Sequence, residues 1–220
     1  MEGAKGMKQN KQTIAIVIIL LFHAVGLIGF YNHAWQPLFL KLVPYHILLM
    51  VLVICYSHQE FNVKFLAFIA LVVLFGYGAE WRGINKHTLF GEYSYGSTLG
   101  IKYDDVPLII GFNWLIITYA TGVFMRYIIS AYAGIRIVSG AILMVFLDLF
   151  IEPVAVKFDY WHWRIGNSQL TAPTSNYIDW FFVSLFMLAI FEVFQFKKQS
   201  RAGVVLLIVQ FVFFILMRRA

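Results

Sequence analysis

Seven apolar runs, separated by short basic segments and by two longer polar and aromatic connections, set the pattern of this chain. They cover residues 13–31, 38–56, 63–79, 106–129, 135–154, 177–196 and 204–217. A membrane span needs about 20 mostly apolar residues, so the pattern predicts an all-α, polytopic integral membrane protein with about seven transmembrane helices in a single bundle. The second run is the least regular, because Lys41 and Pro44 interrupt its start and leave a core short enough for an interfacial or broken segment. The last is also short. In a seven-span arrangement, connections 80–105 and 155–176 emerge at one face, so two polar-aromatic loops from distant parts of the sequence are expected to meet there.

Charge gives this arrangement a direction. Lys5, Lys8, Lys11, Lys64, Arg126, Arg136, Lys197, Lys198 and Arg201 fall on the side opposite the two long connections. By the positive-inside rule that side is cytoplasmic, which places the N-terminus in the cytoplasm and the protein in a bacterial inner membrane. Arg218 and Arg219 fall on the other side and weaken the vote at the last span.

Composition agrees with the pattern: 61% of residues are hydrophobic, 13% are charged and mean hydropathy is +0.77. Soluble domains carry about a quarter charged residues. No linker or repeat divides the 220 residues, so residues 1–220 read as one transmembrane domain. The net charge of +6 lies largely in segments flanking apolar runs, where it carries topology, and no nucleic-acid partner is indicated. Cys55 is the single cysteine, which excludes an intrachain disulfide and fits a small buried hydrophobe. The first apolar run is too long for a signal peptide and no small-residue cleavage pattern follows it, so a retained first helix is expected.

The acids are the candidate chemistry. Asp148 and Glu152 lie one helical turn apart near the end of the fifth run, and ionisable groups inside a span mark a functional site by default. At about 1.5 Å rise per residue, Asp148 lies roughly two-thirds of the way across a core of about 30 Å. Positions i and i+4 share a face, so both carboxyls are expected to look into one cavity. Two close carboxyls in a low dielectric do not both ionise easily, so one is expected to keep its proton, as a general acid needs. Pairing of one acid with Arg82, Lys157 or Arg164 would make the group purely structural.

Further polar and aromatic residues gather in the two connections. Trp161 and Trp163 alternate around His162, beside Asp159 and Tyr160, and Tyr93 and Tyr95 alternate in the earlier connection. An interfacial aromatic belt explains such rings well, but not the acids interleaved with them; the functional alternative is that the ring faces stabilise a carbocation. Glu80, Arg82, Lys86, His87, Glu92, Asp104 and Asp105 sit among Gly83, Gly91, Gly96 and Gly100, as in a folded cap. His87 fits an acid-base group, a ligand or a simple loop hydrogen bond. HxxxH patterns and repeated DDxxD clusters are absent, so no metal is expected. His23 and Gln210 read as interhelical hydrogen-bonding groups, Glu192 as a partner of Lys197 or the headgroups, and Asn113 as a group that orients a water or a carboxylate.

Asp148, Glu152-Pro153-Val154-Ala155, Asp159-Tyr160-Trp161-His162-Trp163, and Pro173-Thr174-Ser175-Asn176 followed by Trp180 resemble the carotenoid biosynthesis family of membrane hydratases, the CruF type. Glu80, Gly83, Phe90-Gly91, Tyr93, Tyr95, Leu99-Gly100, Val106-Pro107 and Trp114 agree with it, so the resemblance covers about residues 78–180. It implies hydration of the terminal double bond of an acyclic carotenoid end group, without a cofactor. It also implies catalytic acids among Asp148, Glu152, Asp159 and Glu80. Substrate would meet Tyr93, Tyr95, Asn113, Trp161, Trp163, Asn176, Trp180 and His87.

The same region is similar to membrane lycopene cyclases, which carry paired acids shortly after a proline. Here Pro173-Thr174-Ser175-Asn176 lacks them, which favours a hydratase. Both reactions begin with protonation of an alkene and differ in whether water or a neighbouring double bond captures the cation. The implied partners are a carotenoid polyene and membrane lipid, with a homo-oligomer or other carotenoid enzymes left open. A small transporter or channel is the reading from another class, but it requires polar groups reaching both faces, and here they concentrate towards one.

Overall fold

The computed structural model describes residues 2–130, 132–164, 172–196 and 200–220. Lys197 and Lys198 lie outside the described residues, as do residues 165–171 of the second long connection and the side chains of Lys5 and Lys8.

Seven helices follow the seven apolar runs: α1 (Glu2–Tyr31), α2 (Gln36–Ser57), α3 (Val63–Lys86), α4 (Ile110–Ile128), α5 (Ala133–Lys157), α6 (Thr174–Val193) and α7 (Arg201–Met217). Local chemistry fixes several ends. Asn62 caps α3 by accepting from the Phe65 amide at 3.1 Å, and Ser200 caps α7 by accepting from the Ala202 amide at 3.1 Å. Pro37 enters α2 in its first turn, where its missing N–H costs nothing. Five helices are long and apolar enough to cross a membrane: α1, α2, α3, α5 and α6. The shorter α7 and the central α4, which carries Asn113, Thr118, Thr121 and Arg126, fall outside that set.

Three departures from the sequence pattern bear on the interior. The second run is a continuous helix with Pro44 inside it rather than a broken segment, since neighbouring helices can support the freed backbone groups. The third runs on to Lys86, which places Glu80 on a helix rather than in a loop. The fourth starts only at Ile110, because Val106 and Pro107 form strand β3 (Val106–Pro107) against β2 (Lys102–Tyr103).

α4 is the hub, buried along most of its length and in contact with α2, α3, α5, α6 and α7. Around it α5 packs on α6 and α1 on α7. The outer faces stay apolar, with Leu52, Leu74 and Phe182 exposed, as a lipid-facing surface requires. Small residues let α3 and α4 approach closely: a Cβ on Gly76 would lie 2.7 Å from the Trp114 Cβ. Gly76→Leu is therefore expected to lower stability by about 1–3 kcal/mol through overpacking. Gly78→Ala, with nothing within 4 Å of its Cβ position, should be neutral or slightly stabilising. Thermal unfolding of the two variants in detergent checks this.

The second small sheet joins the two long connections. Strand β1 (Tyr93–Tyr95) pairs antiparallel with β4 (Trp161–Trp163), matching Tyr93 to Trp163, Ser94 to His162 and Tyr95 to Trp161. This ribbon lies over the ends of α3 and α5.

Candidate active site

Strand alternation sorts the ribbon's side chains. Residues two apart share a face, so Tyr93, Tyr95, Trp161 and Trp163 all point inward and are buried, while Ser94 and His162 point outward. The inward set brings two phenol hydroxyls and two indole N–H groups to the helix ends. Each finds a carboxylate. Tyr93 and Tyr95 each donate to Glu80 Oε2 at 2.6 Å, and Trp114 Nε1 on α4 donates to Glu80 Oε1 at 2.8 Å. Trp163 Nε1 donates to Glu152 Oε2 at 2.8 Å, and Trp161 Nε1 donates to the same oxygen at 3.3 Å. Burial, and then the Glu80 charge, push both tyrosine phenols well above their usual range, so they remain protonated donors.

Asn176, in the first turn of α6, links the two acids of α5. Its Nδ2 donates to Asp148 Oδ2 at 2.8 Å and to Glu152 Oε1 at 3.3 Å. Asp148 is fully buried, and its Oδ1 has no partner among the described residues. Glu80 and Glu152 are 5% and 3% exposed, and no ion pair among the described residues involves these three acids. Arg82, Lys157 and Arg164 are exposed. The three acids are held by neutral donors, which fix their geometry without cancelling their charge.

Glu80 and Glu152 face one chamber of about 30 Å³. Its walls include Tyr93, Tyr95, Trp161, Trp163, Asn113, Asn176 and Trp180, with Trp114, whose ring lies 4.3 Å from that of Trp180 between centroids. A site of that volume with several polar groups has room for one or two waters. Asp148 does not line it, although i,i+4 spacing suggested a shared cavity with Glu152; it lies a turn deeper, bridged to Glu152 by the Asn176 amide. Against the chamber lies a larger, mostly apolar cavity of about 340 Å³ among α1, α2, α4, α5 and α7. Ile110, Asn113, Ile151 and Trp161 form part of the wall of both.

Two sequence candidates sit elsewhere. Asp159, at positive φ, turns outward and accepts from the Ser97 amide at 2.8 Å, the Ser97 hydroxyl at 2.7 Å and the His162 ring. Its partial burial pushes the carboxyl up, but those hydrogen bonds outweigh it and hold the group below its usual range. It clamps the two connections together. Because the depressed value stabilises the folded form, this clamp is present above the carboxyl's unfolded range and is lost as pH falls through the lower folded value. His87 is exposed and ends α3 in the left-handed conformation.

The polar groups deeper in the bundle also differ from expectation. Glu192 pairs with Arg126 and Arg136, each at 2.9 Å; Lys197, its expected partner, is outside the described residues. His23 bonds the Ile19 carbonyl of its own helix at 2.8 Å rather than a neighbouring helix. Two contributors have roles that the sequence did not assign. Trp114 completes the Glu80 cradle, and Asp179 accepts from the Phe90 amide at 2.7 Å, fixing a chamber-wall residue at positive φ. Among the described residues no group of three or more His, Cys, Asp or Glu side chains is disposed to hold a metal ion.

Comparison with known proteins adds three findings. A family model described as carotenoid biosynthesis protein matches residues 41–219. A bisanhydrobacterioruberin hydratase of Haloarcula japonica is 28% identical over 119 residues, which is 52% of this chain and 40% of that relative, so the matched segment spans less than half of the relative's length. No solved structure matches this chain.

Proposed function

This chain belongs to the carotenoid biosynthesis protein family, and from that premise we propose that it adds water across the terminal double bond of an acyclic carotenoid end group. The observation that carries the reading is the pairing of a water-sized chamber, walled by Glu80 and Glu152, with an apolar cavity at its side. The polyene lies in the apolar cavity and passes its end group between Ile110, Asn113, Ile151 and Trp161. Asp148 and Glu152, coupled through Asn176, hold one proton between them, since two charges so close in a low dielectric are unfavourable. Glu152 is the member that reaches the chamber. It transfers the proton to the less substituted alkene carbon, and the π electron pair forms the new C–H bond.

The tertiary cation left on the neighbouring carbon faces the rings of Tyr95, Trp161 and Trp163, whose π faces stabilise positive charge. Glu80, held in place by three donors, orients the water and takes its proton as the oxygen attacks. Return of that proton to the Asp148–Glu152 pair, directly or through solvent, completes a cycle whose net change is one added water. Asn113 positions the water or the alkene at the junction of the two spaces.

The small chamber favours capture by water over closure of a ring. Expression in cells that accumulate lycopene tests the reading: pigment gaining the mass of one water per reacted end supports it, whereas unchanged mass with altered absorption means a cyclase. Asp159 acts in this scheme as a positioning residue. Asp159→Asn is expected to keep turnover within about tenfold of the native protein, in keeping with a lost surface hydrogen-bond network worth about 1 kcal/mol. Exchange of the Ser97 amide hydrogen should accelerate in the same variant, and a complete loss of turnover would return Asp159 to the chemistry.

Orientation follows from loop charge: connections 80–105 and 155–176 face away from the cytoplasm of a bacterial inner membrane, with the N-terminus inside. Cysteine labelling of the two connections in intact cells checks this, and labelling on opposite sides would contradict it.

A further inference from the structure

The apolar cavity has a polar patch that the hydration scheme does not use. His23 on α1, His46 on α2 and Gln210 on α7 all line it. His23 and Gln210 are 6% and 8% exposed, and the two histidine rings meet edge to face with centroids 4.7 Å apart. Gln210 Oε1 is buried without a partner among the described residues. His23 Nδ1 lies 2.8 Å from the Ile19 carbonyl, an acceptor, so this nitrogen carries the ring hydrogen. The neutral ring then presents Nε2 as a second acceptor. A buried acceptor without a donor, as Gln210 Oε1 is, is costly in an apolar surrounding, and native interiors leave few of them.

The geometry points to a second subsite here, one that receives a hydroxyl group carried by the isoprenoid chain. This rests on the reading that the chain occupies the apolar cavity. A hydroxyl can donate to Gln210 Oε1 or His23 Nε2, and it can also accept from the Gln210 amide; an ether or an oxo group can only accept. The spacing is set by α1. Phe30, another wall residue, packs its ring on Phe158 beside the ribbon, 5.3 Å between centroids. His23 is seven residues earlier, about 10 Å deeper along the helix axis. The subsite therefore selects an isoprenoid alcohol whose oxygen lies on the order of 10 Å from the reacting alkene. The cavity also reaches Phe22, Val25, Leu42 and Tyr45, which are exposed on the outer faces of α1 and α2. A lipid-borne alcohol thus has a sideways entry at the depth of the patch.

Thermal unfolding of the full chain in detergent, with farnesol or with farnesyl methyl ether, tests the subsite. Farnesol has the terminal alkene and a hydroxyl at about the required span; the ether keeps the oxygen and loses the donor. Ligand that binds the folded state raises the midpoint by an amount set by the ratio of its concentration to its Kd. Farnesol is expected to match the ether's shift at about one-tenth of its concentration, and Gln210→Leu and His23→Phe should each bring that ratio towards one. Equal potency in the native protein, or a preference that survives both substitutions, overturns the subsite and leaves the three side chains as packing groups. The hydration reading stands or falls separately, on whether the native protein adds water to lycopene.

Discussion

Glu152→Gln and Glu80→Gln are each expected to cut hydration by about a hundredfold to ten-thousandfold, the usual worth of a positioned acid or base, while protein abundance stays near that of the native chain. The two changes fail for different reasons. At position 152 the amide can still accept from Trp161 and Trp163 through its oxygen, and Asn176 goes on donating to Asp148 at 2.8 Å. Shape and hydrogen bonds survive, but the proton does not. At position 80 the phenols of Tyr93 and Tyr95 and the Trp114 indole keep one acceptor oxygen between them, and one donor turns to face an N–H₂ group. That variant loses the base and some order in the ribbon. Asp148→Asn should resemble Glu152→Gln, because it removes the partner with which Glu152 shares its proton. Pigment conversion per membrane-inserted molecule is the measurement, and near-native conversion by both glutamine variants would remove the carboxyls from the chemistry.

Trp163 should give the second-largest loss, and the two parts of its role separate on substitution. Phe keeps a ring face, although a weaker one, but loses the indole N–H that holds Glu152 at 2.8 Å. A hydrogen bond to a charged group is worth about 1.5–3 kcal/mol, so Trp163→Phe is expected to lose about tenfold to a hundredfold. Leu removes the quadrupole as well, worth about 0.5–2 kcal/mol to a nearby cation, so Trp163→Leu should fall a further severalfold. At Trp161 the hydrogen bond is longer, 3.3 Å, and the step from Trp to Phe should be smaller than the step from Phe to Leu. The same changes at Trp35, which is 51% exposed and far from the ribbon in sequence, should leave conversion per inserted molecule unaltered. Equal conversion by the Phe and Leu variants at both ribbon positions would reduce these tryptophans to membrane anchors.

The helices were legible because apolar length is the dominant constraint in a membrane. All seven runs became helices; polar residues continue two of them, Glu80 and Lys86 in α3 and Lys157 in α5 beyond Pro153, while Val106 and Pro107 leave the fourth run for strand β3. The ribbon was half legible. Tyr-Ser-Tyr and Trp-His-Trp each alternate with a period of two, the signature of a strand, but three residues are too few to outweigh the interfacial explanation for aromatic rings. What sequence could not supply was the pairing between them, because the strands are 65 residues or more apart and their register depends on the fold. For the same reason the roles of Trp114, which entered only through the family resemblance, and of Asp179 were not legible: each acts through a single long-range hydrogen bond, to Glu80 and from the Phe90 amide. Asp159 shows the opposite case. Trp161 and Trp163, which follow it closely, point into the chamber, while its own backbone, at positive φ, turns it to the surface.

The most direct measurement uses the purified full chain in detergent, supplied with lycopene in heavy-oxygen water. The account predicts that each reacted end group gains one water, that its new oxygen carries the solvent label, and that Glu152→Gln forms little of this product. A product of unchanged mass, or a mass gain without solvent oxygen, would contradict hydration at the Glu80–Glu152 chamber.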